Sequence, residues 1–271
     1  MSATPPIGSS DTGKSGMARW FGRVALITGA ASGIGASITD KLVRYGMKVI
    51  GCDIQSENLE VMQMQFKEDD SIKGTFEPFT CDLAKEDDIL KMFRHIKSHH
   101  GSVDVCINSA GHSRNGPTLL EGNTADWRSL LEINVLALSI CTREAIRQMR
   151  EKGVDDGHVI HIGSGACHQV SPRPTLHFYS GTKFMVRALT EGLRQELREI
   201  NSHIRISCIC PPMVRTPFSY QILPDDPGTV DEWYAKDPSI EPEDVADAVI
   251  YALQAPPHVQ VHDIIINAIP K

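Results

Sequence analysis

The strongest constraint on this chain is the regular alternation of short β-rich runs with longer stretches of helical pattern. The run Val24-Ala-Leu-Ile-Thr28 is apolar on both faces, as a parallel strand buried between helices must be. Six more follow, at Lys48–Asp53, Phe76–Asp82, Val103–Asn108, His158–Ile162, Ile204–Cys210 and Asp263–Asn267. Helical stretches begin near Ile34, Asp87, Asp126, Tyr179 and Pro242, the last with Glu243 and Asp244 at its positive start. Parallel strands need crossover connections, and these place helices on both faces of one sheet. The expectation is an α/β fold with a single doubly wound, seven-stranded parallel sheet.

A chain of 271 residues with 41% hydrophobic content can bury one sizeable core. Residues 1–20 are rich in Ser, Gly, Thr and Pro and contain no apolar stretch, so they are expected to form a disordered tail and not a secretory signal. Residues 21–271 are expected to form the folded unit, without an internal linker or repeat. The net charge of -7 argues against a nucleic-acid surface. No apolar run reaches the roughly 18 residues that a membrane span requires. Of seven cysteines, Cys52, Cys81, Cys106, Cys208 and Cys210 fall in apolar runs and are expected to be buried free thiols. With no Cys-x-x-Cys pair and no Cys/His cluster, no metal is expected, and a reducing, cytoplasmic compartment follows.

The segment Thr28-Gly29-Ala30-Ala31-Ser32-Gly33-Ile34-Gly35 lies where the first strand ends and the first helix begins. Glycines at such a junction let backbone N–H groups approach a pyrophosphate, which the helix start also attracts; this is the Rossmann arrangement. A plain strand–helix turn would look similar in isolation. Asp53 ends the second strand, 18 residues after Gly35. A carboxylate there accepts hydrogen bonds from the adenosine ribose hydroxyls and repels a 2′-phosphate. The glycine loop holds no Arg or Lys, and Ile54 follows Asp53, so electrostatics favour NAD over NADP.

Tyr179 and Lys183 stand four residues apart and so share one face of a helix. A free tyrosine is ionised to roughly one part in a thousand at neutral pH. An adjacent ammonium favours the phenolate and makes that oxygen a usable acid or base. Joined to a dinucleotide loop, the pair points to hydride transfer on an alcohol or ketone.

Together Thr28-Gly-x-x-x-Gly-x-Gly35, Asn108-Ser-Ala-Gly111, Asn134, Ser164, Tyr179 and Lys183 resemble the short-chain dehydrogenase/reductase family, from about Arg23 to the C-terminus. The resemblance implies that Tyr179 exchanges a proton with the substrate oxygen. It implies that Lys183 favours the Tyr179 phenolate and holds the nicotinamide ribose, and that Ser164 orients the carbonyl. Asn134 would fix a helix distortion supporting a proton path to Lys183, and Asp82, beside Leu83, would contact adenine. Asn108 would hold the sheet behind the cofactor, next to Ala110 and Gly111. Thr216, with Val214, would grip the nicotinamide carboxamide. The residues themselves also allow blander roles: Ser164 as a turn residue, Asn134 as an exposed or capping residue, Asp82 as a turn former. His112, His168 and His177 are candidates for the pocket mouth, or for packing.

Similar members of the family reduce keto groups on steroids, at the 3- or 17-position, and on other hydrophobic carbonyls with NADPH. An insect group oxidises farnesol-like alcohols. The sequence departs from the family pattern at four places. Asp53-Ile54 stands where close members have Ala-Arg, and Ser109 replaces an Asn. Gly163 stands where Asn or Ser is usual, and Pro212 replaces a glycine. If that glycine needs a positive φ, the loop toward the nicotinamide must be rebuilt. The segment 213–240 carries Phe218, Tyr220, Ile222, Leu223, Trp233 and Tyr234 and is read as a long loop covering a hydrophobic substrate. The stripe Phe184, Ala188, Leu189, Leu193, Leu197 and Ile200 is expected to face the sheet, while the resemblance implies a dimer or tetramer through the same helix. A dinucleotide-binding scaffold with decayed catalysis is the reading outside enzymology, and the intact Ser-Tyr-Lys-Asn set speaks against it.

Overall fold

The computed structural model describes residues 16–113, 118–223 and 226–270. Strands β1 (Val24–Thr28), β2 (Lys48–Asp53) and β3 (Thr75–Thr80) alternate with α1 (Gly33–Arg44) and α2 (Ser56–Glu68). Then come α3 (Glu86–His100), β4 (Val105–Asn108) and α4 (Thr124–Leu131). The last runs through a π-helical stretch, Glu132–Ala137, into α5 (Leu138–Lys152). They are followed by β5 (His158–Ile162), α6 (His177–Glu199), β6 (Arg205–Cys210), α7 (Pro217–Ile222), α8 (Pro227–Lys236), α9 (Pro242–Gln254) and β7 (Asp263–Ile265).

The seven strands form one parallel sheet in the order β3-β2-β1-β4-β5-β6-β7. Strand order reverses at β1, so the chain leaves β1 and β4 in opposite directions and opens a crevice at their C-terminal ends. Alternate side chains divide the core. Ile27, Val49, Ile107, Ile160 and Ile209 pack with Ile38 and Leu42 of α1 and Val249 and Leu253 of α9. Leu26, Ile50, Cys106, Val159 and Ile206 pack on the opposite face with Phe93 of α3, Ala145 of α5 and Leu197 of α6.

The fold meets the expectation, with local corrections. The strand ends shift to Thr75–Thr80, Val105, Arg205 and Ile265. Pro78 is tolerated because β3 is an edge strand paired only with β2. Helix α2 escaped sequence reading because Leu59 alone among its residues is fully buried. The expected tail splits. Residues 1–15 lie outside the described residues, but Gly16–Trp20 form a 3-10 turn whose Trp20 is buried and donates its indole N–H to the Leu253 carbonyl at 2.9 Å. An indole that seals the base of α9 belongs to the core, not to a tail. Segment 213–240 is likewise more ordered than a loop. It contains α7 and α8 and is pinned by a parallel bridge between Val214 and Ile240. The α6 stripe does not face the sheet as a unit: Leu197 is buried, but Phe184, Ala188, Leu189 and Ile200 are exposed. The buried face is instead Thr182, Lys183, Val186, Thr190 and Leu197.

Candidate active site

The crevice over β1 and β4 is a cavity of about 530 Å³, within the range of small-molecule sites. At one end, β1 turns through Gly29 into α1. A Cβ on Gly35 would overlap the Gly29 carbonyl oxygen, and Gly33 holds φ +51°, where a Cβ would press on the Thr216 methyl at 3.0 Å. Neither position takes a larger residue without opening the turn. The Ser32 side chain makes no cap bond, and no acidic residue stands in the first turn of α1. The helix start therefore remains directed at the cavity, the donor set a pyrophosphate needs. Thr28 stitches the floor, its hydroxyl accepting the Ser109 and Ala110 N–H groups at 3.1 and 3.0 Å.

Gly29, Ser32, Gly33, Ile34, Gly35, Asp53, Asp82, Leu83, Ala110, Gly111, Val214 and Thr216 all line the cavity. Asp53 is 9% exposed, and its two carboxylate oxygens accept the Ala31 N–H at 3.2 Å and the Gln55 N–H at 3.1 Å. The remaining lone pairs of a carboxylate so fixed are available to hydroxyl donors. The described lining includes two cationic side chains, Lys183 and Arg173, and both belong to the β5–α6 side of the cavity, away from β2. Asp82 does form a turn, accepting the Ala84 N–H and pairing with Lys85 at 3.0 Å, and these hold its carboxyl below the usual range. It lines the cavity as well.

Ser164 follows β5, and its hydroxyl accepts the Ala166 N–H at 3.1 Å. Tyr179 and Lys183 project from the first turns of α6, with the Lys183 ammonium 5.7 Å from the Tyr179 ring centre. Lys183 is 6% exposed and donates to the Ile162 carbonyl at 3.0 Å, which fixes it beneath the cavity. Ser164, Tyr179 and Lys183 all line that cavity.

Asn134 and Asn108 lie behind the cavity wall. Asn134 sits in the π-helical stretch and is buried, so the exposed alternative does not hold. Asn108 donates to Thr142 Oγ1 at 3.0 Å, Thr142 meets His161 Nε2 at 3.0 Å, and His161 Nδ1 meets Thr190 Oγ1 at 2.8 Å. Because Thr190 gives its proton to the Val186 carbonyl, it must accept from His161. The chain then runs one way, and His161 is neutral with its proton on Nδ1. Burial, helped by the Lys183 charge, pulls His161 down to about 3. Sequence reading missed His161, whose alternation along β5 shows only that it faces one side of the sheet.

His112, His168 and His177 do not line the cavity. His112 instead places its ring on the Ser129 carbonyl and hydroxyl at 3.0 and 3.1 Å. Pro212 causes no strain, since none of residues 211–216 takes a positive φ; Ile240 donates to Met213 and Arg215 to Ile240, rebuilding the loop as a bridge. Gly163 is explained by the sulfurs around it. A Cβ there would stand 2.8 Å from Cys167 and Cys208 Sγ and 3.1 Å from Cys210 Sγ. All seven cysteines are free and buried, as expected.

The cavity lining also carries the apolar side chains Leu176, Met213, Phe218, Ile222 and Trp233. Phe218 stands 6.0 Å from the Tyr179 ring, and the Arg173 guanidinium stacks 4.0 Å over Trp233. Among the described residues no helix is long and apolar enough to cross a membrane.

A family model described as short chain dehydrogenase matches residues 23–227. The chain is 50% identical to "Dehydrogenase/reductase SDR family member 11" of Mus musculus, over 93% of this chain and 96% of that protein. It is 38% identical to "Farnesol dehydrogenase" of Aedes aegypti, over 93% and 98%. Among solved structures it is similar to a serine dehydrogenase in closed form complexed with NADP+, with TM-score 0.80, 27% identity, and coverage of 90% and 94%.

Proposed function

The chain belongs to the short-chain dehydrogenase/reductase family of NAD(P)-binding oxidoreductases, and from that premise we propose that it oxidises a hydrophobic secondary or allylic alcohol with NAD. The observation that carries the cofactor choice is Asp53, fixed by two backbone N–H groups at the end of β2 with apolar Ile54 beside it. The start of α1 and the bare backbone of Gly33 and Gly35 fit a pyrophosphate. Asp53 fits ribose hydroxyls and repels a 2′-phosphate. Bound there, the cofactor supplies a nicotinamide C4 that accepts or gives a hydride.

The chain's own residues manage the proton and the position. Ser164 donates to the substrate oxygen and sets the carbinol carbon. Tyr179, with the Lys183 ammonium below its ring, takes the hydroxyl proton as the carbonyl forms, and returns it in the reverse direction. Lys183 also holds the nicotinamide ribose. Asn134 is a positioning residue that fixes the start of α6. Asp82, Leu83, Ala110 and Gly111 frame the adenosine half, and Val214 and Thr216 the nicotinamide. Leu176, Phe218, Ile222 and Trp233 exclude water from a steroid-like or isoprenoid-like substrate, and the farnesol dehydrogenase relative favours the isoprenoid class. Phe184, Met185 and Leu189, exposed on α6, and Leu136, exposed on the π-helical stretch, support a homodimer or homotetramer.

A second reading is reduction of 3- or 17-keto steroids and related carbonyls with NADPH. It is favoured by similar solved structures, at 27% and 26% identity, that are complexes with NADP. The test is turnover of farnesol-like and steroid alcohols with NAD or NADP, beside the matching ketones with NADH or NADPH. Alcohol oxidation with NAD, absent in Tyr179→Phe, supports the proposal. Ketone reduction with NADPH alone contradicts it.

A further inference from the structure

We propose that Cys167, Cys208 and Cys210 form a binding site for one soft, low-coordinate cation of the Cu(I) class, against the backbone of the Ser164 turn. Cys208 and Cys210 are two apart on β6 and therefore share a face, with their sulfurs 3.5 Å apart. Cys167 closes the 3-10 turn after Ser164 and meets them from above. All three sulfurs lie within 4.8 Å of one another, and all three residues are buried and unbridged. Metal–thiolate bonds of about 2.3 Å place the sulfurs of a trigonal set about 4 Å apart, so the triad needs little movement to close on an ion.

A second observation concerns room. The vacant Cβ position of Gly163 is nearly equidistant from the three sulfurs, at 2.8, 2.8 and 3.1 Å. Any other residue at 163 would drive a carbon into the group. The choice of metal follows from the donors. No His, Asp or Glu joins the three thiols among the described residues. A closed zinc site wants four protein ligands, and hard cations want oxygen. Three thiolates without a fourth donor suit Cu(I). The Lys183 ammonium, bonded to the carbonyl of Ile162 next to Gly163, offsets the negative charge such a complex carries.

The site is built into the turn. Cys167 donates its N–H to the Ser164 carbonyl at 2.8 Å, while Gly163 and Gly165 donate to Ile209 and Pro211 at 2.7 Å each. The test is titration of the reduced, full-length chain with Cu(I) under anaerobic conditions, against bicinchoninate as competing chelator. One Cu(I) withheld per chain is expected, with affinity lowered by more than about tenfold in Cys208→Ser and in Cys210→Ala. The triple Cys→Ser variant should withhold none, and Cys106→Ser should match the wild type. X-ray absorption on the loaded wild type needs no variant, and should give three sulfur neighbours at about 2.3 Å. Failure to compete with the chelator, retention by the triple variant, loss of the thiols to a disulfide, or nitrogen and oxygen neighbours would each overturn the assignment.

Discussion

Asn134 grips the backbone of His112 from both sides, its Oδ1 accepting the N–H at 2.9 Å and its Nδ2 donating to the carbonyl at 3.0 Å. The same Nδ2 reaches Thr182 Oγ1 at 3.2 Å, one residue before Lys183. One buried amide thus ties the segment after β4, the π-helical stretch and the start of α6. A π-helical widening of this kind re-aims side chains at the site and is commonly functional.

Replacing Asn134 with Ala removes the side-chain partner of part-buried backbone groups at His112, at a cost of about 1–3 kcal/mol. The melting temperature should fall by roughly 2–12 °C. Turnover should fall with it, while NAD(H) affinity changes little. Thermal unfolding and steady-state kinetics check both parts, and unaltered turnover would remove the positioning role.

Tyr179→Phe removes the proton-transfer oxygen and keeps the ring against Phe218. The turnover number should drop by about 10²–10⁴-fold. Cofactor binding, measured by fluorescence, should remain. Equal loss of both would mean that the ring, not the hydroxyl, matters.

Asp53→Ala combined with Ile54→Arg exchanges a fixed carboxylate for a guanidinium at the end of β2. The ratio of NADPH to NADH affinity should rise by at least about tenfold, as expected for reversing one charge near a phosphate in partly screened surroundings. Calorimetric titration of both cofactors reads it.

His161 gives a pH signature. Its folded value of about 3 lies below the ordinary 6.5, so the unfolded chain binds the proton first and the native state loses stability as pH falls below 6.5. By pH 5 the loss from this group is roughly 2 kcal/mol. His158, buried and also pushed down, adds to the same slope. Urea midpoints at pH 7 and pH 5 should show the fall, and His161→Asn should flatten it. An unchanged slope in that variant would exclude His161 as a source.

The sheet, its order of elements and the glycine turn were legible because buried parallel strands write continuous apolar runs and Gly35 has no alternative beside the Gly29 carbonyl. Tyr179 and Lys183 were readable from their spacing on one helix, and Ser164 from the family resemblance alone. What stayed hidden depends on contacts distant in sequence. Helix α2 buries too little to show a pattern, and Trp20 declares itself only against Leu253. Gly163 in place of the usual Asn or Ser made no sense until Cys167 and Cys208 arrived from separate elements. His161 needed Thr142 and Thr190, from two helices, to become a fixed tautomer.

Selection of NAD by Asp53 is read out by side-by-side binding of NADH and NADPH to the purified chain. Tighter NADH binding is the expected result, by at least about tenfold for a carboxylate facing a 2′-phosphate. Equal or tighter NADPH binding would contradict the claim and return the chain to ketone reduction.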